Sequence, residues 1–142
     1  MHYFTSDEEI ERIGHGLTDC TLPKAEWTHA AHFAAAFWFL RERGAAALSE
    51  IPVRIRAYNQ ATGVPNTDTS GYHETITVAS LRAARAWLAA RQKMPLHTAL
   101  NELLATQFGR SGWLLEYWSA ELLFSVGARR GWVGPDRKAL PF

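Results

Sequence analysis

HAAHFAAAFWFL, His29 to Leu40, is the stretch on which the fold turns. Successive side chains on an α-helix step by about 100°, so a helix at the edge of a protein leaves a polar stripe facing water. This segment has none: between His32 and Arg41 no position carries a charged group. It therefore predicts a helix covered by neighbours on nearly every side, the centre of an all-α domain. Pro23 before it and Gly44 after it place that helix from about Lys24 to Arg43. The apolar run is far short of the roughly 20 residues that a membrane span requires.

Outward from this centre the pattern stays helical. Ser6 followed by Glu9 is a capping-box pattern, opening a helix through about Leu17 with Ile10, Ile13 and Leu17 on one stripe. On the other side, Leu48, Ile51, Ile55 and Tyr58 recur at helical spacing. Pro52 interrupts them, so the third helix either begins near Ser49 or kinks there. VPNTDTSG, Val64 to Gly71, reads as a loop. Further helices are expected from about Tyr72 to Gln92, from Pro95 to about Phe108, and from about Trp113 to Val126. The segment from Gly131 to Phe142, with Pro135 and Pro141, reads as an irregular tail lying across the surface. The sum is one helical domain, residues 1–142, built as a bundle of five or six helices.

Composition narrows the function. Hydrophobic residues make up 47% of the 142, with 20% charged and six Trp, which fits a packed core and excludes a disordered chain. A net charge of +1 gives no electrostatic reason to bind nucleic acid or an anionic membrane. Cys20 is the one cysteine, so there is neither an internal disulfide nor a thiolate zinc cluster, and a reducing, cytoplasmic home is expected. The acidic start, MHYFTSDEEIER, lacks the apolar core of an export signal. An aromatic-rich chain of this size leaves room for a homodimer.

Within the central helix, His32 lies about 60° from His29, and both share the face of Phe33, Ala36 and Leu40. His73, at the start of the fourth helix, aligns with Ser80, Ala84 and Trp87 and so also points inward. A buried neutral imidazole has one donor and one acceptor to satisfy. A divalent transition metal meets that need: His29 and His32 bind from one helix, His73 from another, and a fourth position stays open for water or substrate. Zinc is the first expectation, with iron, nickel or copper as alternatives. Ordinary hydrogen bonds to carbonyls, hydroxyls or buried water would meet the same need.

WTHAAH, then GYHET some forty residues on, then a SAELLFS…PD…LP tail together resemble a family of uncharacterised small bacterial helical proteins with H-x-x-H and Y-H-E-T segments. The likeness maps onto His29, His32, Tyr72, His73, Glu74 and Thr75. It implies that these residues group together, and it implies no substrate.

Glu74 flanks the core stripe, where a carboxylate can move a proton beside a metal or simply favour the helix start. Tyr72 and Tyr58 can donate hydrogen bonds, Asn59 can orient a polar substrate, and Arg56 or Arg54 can hold a carboxylate. Glu26 is a further candidate ligand, three residues before His29. The chain lacks a nucleophile elbow, a phosphate-cradling glycine loop, a dinucleotide fingerprint and an H-E-x-x-H helix. The expectation is a metal-dependent enzyme acting on a small polar substrate by hydrolysis, hydration, elimination or isomerisation. The alternatives are a non-catalytic helical binding or interaction module with a buried histidine network, or a metal storage or sensing protein.

Overall fold

In the computed structural model, which describes residues 3–142, every regular element is helical and no strand occurs among those residues. His2 lies outside them. The first helix, α1 (Asp7–Thr18), starts at Ser6, whose side chain accepts a hydrogen bond from the Glu9 N–H, and buries Ile10, Ile13 and Leu17 as its spacing requires. The central helix, α2 (His29–Arg43), buries Ala31 and every residue from Phe33 to Phe39.

α2 starts five residues later than its sequence pattern suggests. Thr28 holds an extended backbone and its hydroxyl accepts from the Ala31 N–H, a standard helix N-cap. Lys24–Glu26 forms a separate single turn of 3-10 helix. Packing between α1 and α2 depends on Gly14: a Cβ built there would fall 2.3 Å from Cε3 of Trp38, far inside van der Waals contact.

After a 3-10 turn at Gly44–Ala46 comes α3 (Ala47–Ala61), which carries Pro52 within it. Of the two expected arrangements, a start near Ser49 or an earlier helical piece kinked at Pro52, the helix begins two residues before Ser49 and runs through Pro52, whose missing N–H leaves the Leu48 carbonyl without its usual partner. Tyr58 and Ile51 point into the core. The 62–73 connection is a loop, organised by Asn66: its Oδ1 accepts from Asn59 Nδ2 at 3.0 Å and from the Tyr72 N–H at 2.9 Å, and its Nδ2 donates to the Arg56 carbonyl at 3.1 Å. Gly71 closes this loop with φ +76°, where a Cβ would also meet Asn66 Oδ1 at 2.5 Å.

α4 (Glu74–Ala89) and α5 (Leu96–Leu104) complete the set of long helices. α5 ends before the expected Phe108, and Gln107–Gly109 forms a 3-10 turn. The expected helix over 113–126 is broken into a 3-10 turn (Trp113–Glu116), α6 (Ala120–Leu123) and α7 (Val126–Arg130). Two serines cause the breaks. Ser119 and Ser125 adopt extended backbones, and their hydroxyls accept from the Leu122 and Ala128 N–H groups, so each restarts the helix instead of continuing it.

The irregular tail is as expected, but it is tied down along its length. Trp118 Nε1 donates to the Val133 carbonyl, Asp136 accepts from both the backbone and the hydroxyl of Ser119, and the Arg137 N–H donates to the Tyr117 carbonyl. Thr75 on α4 donates through its hydroxyl to the Gly131 carbonyl and accepts from the Val133 N–H. Trp132, Val133, Leu140 and Phe142 pack against the core. No helix among the described residues is long and apolar enough to cross a membrane.

Candidate functional site

The three histidines expected to converge occupy two different places. His73 is the N-cap of α4: in an extended conformation, its Nδ1 accepts the Ile76 N–H at 3.2 Å. A nitrogen that accepts carries no hydrogen, so the proton sits on Nε2, which donates to the Leu123 carbonyl at 2.7 Å. Both ring nitrogens are thus committed to backbone groups. Burial lowers the His73 pKa, the Leu123 carbonyl opposes the shift, and the Arg129 charge adds to it. The ring is a structural joint between the start of α4 and the end of α6, with no lone pair left to offer a metal ion.

His29 and His32 stand together, apart from that joint. His29 Nε2 lies 2.8 Å from the Phe108 carbonyl, and His32 Nδ1 lies 2.7 Å from the Thr28 carbonyl. A carbonyl only accepts, so each of these nitrogens carries the ring hydrogen and the other nitrogen of each ring is a bare acceptor. The described residues leave only Arg54 Nε and Trp113 Nε1 as buried side-chain polar atoms without a partner, so the free His29 Nδ1 reaches solvent. His32 does not face the interior as the sequence suggests. It is exposed, with its ring stacked on Trp27 at 3.8 Å between centroids and 28° between planes. Crowding by surrounding atoms lowers its pKa while the Thr28 carbonyl opposes the shift.

The two rings line a pocket of about 290 Å³. Phe33, Ile76 and Leu114 supply its apolar walls, and Ser80 and Ser111 supply hydroxyls. Ser80 donates its hydrogen to the Ile76 carbonyl at 2.8 Å, leaving its oxygen as an acceptor. The elements that meet here are the start of α2, the first half of α4 and the segment entering the Trp113–Glu116 turn.

Among the described residues no group of three or more His, Cys, Asp or Glu side chains is placed to hold a metal ion. The expected set of His29, His32 and His73 is therefore not assembled: His73, at the helix cap, turns toward Leu123, because the α4 start needs its nitrogen as an acceptor.

The other expected site residues are largely engaged within the protein. Tyr58 is buried, and its hydroxyl donates to the Leu22 carbonyl at 2.8 Å; burial raises its pKa. Asn59 is held by Asn66, as described above. Arg56 lies over the Tyr72 ring, 4.0 Å from its centroid. Tyr72 donates to Glu74 Oε1 at 2.5 Å, and burial together with that carboxylate raises the Tyr72 pKa. Glu26 pairs with Arg12 at 2.6 Å, and Arg54 with Glu50 at 3.4 Å. Arg56, Tyr72 and Glu74 thus form a cluster of their own. Pocket residues that the sequence did not single out as a site are Phe33, Ile76, Ser80, Ser111 and Leu114. Ile76 and Ser80 are four apart on α4, a spacing the helix reading contains, whereas Ser111 comes from a segment with no periodicity to place it.

No family model, curated protein or solved structure matches this chain.

Proposed function

We propose that this chain is a small-molecule-binding helical protein whose binding site is the pocket lined by His29 and His32. The observation that carries this reading is the pair of imidazoles with one nitrogen each anchored to a backbone carbonyl and the other left without a protein partner, beside three apolar walls. Binding pockets combine an apolar lining with a few placed polar groups, and a volume near the lower end of the usual range of roughly 300–1,000 Å³ fits a small ligand.

The same observation favours a second reading, a metal-dependent enzyme acting on a small polar substrate. Imidazoles that bind metals give their other N–H to a carbonyl or carboxylate, which orients the ring. His29 and His32 then supply two ligands, zinc being the first choice and iron, nickel or copper the others, with water and substrate completing the coordination.

One experiment separates the two. Protein purified without a histidine tag is analysed for bound elements, and NMR records its response to a library of small neutral and charged fragments. Fragments that shift His29, Ile76 and Leu114 in metal-free protein support the binding reading. Near-stoichiometric zinc that is lost in His32→Ala supports the enzyme reading. Metal-free protein in which no fragment touches these residues rejects both.

A further inference from the structure

The pocket's hydrogen-bonding character is unusually one-sided, and it specifies what fits. Resting on the binding reading above, we propose that the ligand is an uncharged small molecule with at least two hydrogen-bond donors, of the primary amide or vicinal diol class, recognised by the free nitrogens of His29 and His32.

Each ring has a fixed tautomer. His29 must carry its hydrogen on Nε2 to meet the Phe108 carbonyl, and His32 on Nδ1 to meet the Thr28 carbonyl. While neutral, neither ring can turn a hydrogen toward a ligand without breaking a bond of 2.8 Å or shorter. Ser80 has likewise directed its hydrogen to the Ile76 carbonyl. Three of the four polar side chains lining the pocket therefore keep a free acceptor and no free donor while neutral, and Ser111 is left to donate or accept as the ligand requires.

An acceptor-rich site discriminates by charge. A carboxylate brings only acceptors, so it would face lone pairs with lone pairs and lose its water without compensation. A protonated amine brings donors, but none of the lining residues is an acid to balance its charge beside Phe33, Ile76 and Leu114. A neutral donor meets neither penalty. Two donors on adjacent atoms suit two imidazoles contributed one helical turn apart, because residues i and i+3 lie on the same face of α2.

The test uses the full chain, stripped of metal by chelation, at about pH 7.5, where ordinary imidazole is neutral. Long-range ¹⁵N NMR of the histidine rings is recorded first. It should show His29 protonated on Nε2 and His32 on Nδ1; the opposite tautomer on either ring overturns the proposal. The protein is then titrated separately with acetamide, propane-1,2-diol, acetate and ethylammonium, four probes of similar size. Acetamide and the diol should move the bare-nitrogen resonances of both rings and bind at least about tenfold more tightly than either ion. Ser80→Ala should weaken acetamide severalfold while leaving the two tautomers unchanged.

Acetate or ethylammonium binding as tightly as acetamide overturns the ligand class and leaves the site standing. If none of the four moves the rings even at high concentration, the class and the binding reading fall together.

Discussion

His73 Nε2 stands 2.7 Å from the Leu123 carbonyl, fifty residues further along the chain, while Nδ1 of the same ring caps the helix that follows it. One imidazole thus fixes a helix start and a tertiary contact at once. Removing it should cost both. His73→Ala is expected to destabilise the fold by about 2–4 kcal/mol, the sum of a lost cap and a buried carbonyl left unpaired. His73→Asn, which can cap but cannot reach as far, should recover about 1 kcal/mol of that loss. Urea denaturation of the three proteins measures it.

The pH dependence of stability follows from the same ring. Burial holds the folded-state pKa of His73 below its ordinary 6.5, so between those two values the unfolded chain binds a proton that the folded chain refuses. The stabilisation is present above pH 6.5 and is lost as pH falls through the folded value, and the shift of His32 acts in the same direction. The melting temperature should therefore fall on acidification from about pH 7.5 to 5, and fall less in His73→Asn. A flat profile in the parent protein would remove His73 from the account.

Gly14 predicts a packing effect. Gly14→Ala sets a methyl group 2.3 Å from an indole atom of Trp38, and the two helices must separate or the ring must turn. A loss of about 1–3 kcal/mol is expected, accompanied by a change in near-ultraviolet circular dichroism from the disturbed tryptophan.

Asn66 predicts a local effect of another kind. Its amide makes three hydrogen bonds that join the end of α3 to the residue before His73. Asn66→Ala should cost about 1–3 kcal/mol and raise the rate of proteolysis within residues 62–72, with the rest of the chain protected. Asn66→Asp keeps the two acceptor contacts but loses the donor to Arg56, so it should fall between.

The helical architecture was legible because its signals are local. Ser6 caps α1, the uncharged run after His32 is buried from Phe33 to Phe39, and Leu17, Ile51 and Tyr58 are core residues at the spacings that suggested them. Helix boundaries were harder to read, since Thr28, Ser119 and Ser125 look like ordinary interior or surface residues until their hydroxyls turn to cap a helix. The histidines show where such reading stops. The face shared by His29 and His32 follows from a 3.6-residue period, and the two do line one pocket. Where His73 points is decided instead by a two-residue difference in the start of α4, from Tyr72 to Glu74, and by a carbonyl fifty residues away.

Thr75 makes its two contacts with Gly131 and Val133, 56 and 58 residues downstream. On a ribosome that distance is time. The first three helices can dock on one another while the partners of Thr75 are still being made, and until they emerge the opening turn of α4 is held by His73 and its Leu123 contact. Joining ends so far apart carries a loop-closure penalty that short-range helix contacts avoid. Fastening the tail onto α4 therefore carries a closure cost that packing among the first three helices does not, and a ribosome stalled before Gly131 would hold a chain whose Thr75 has neither of its two partners.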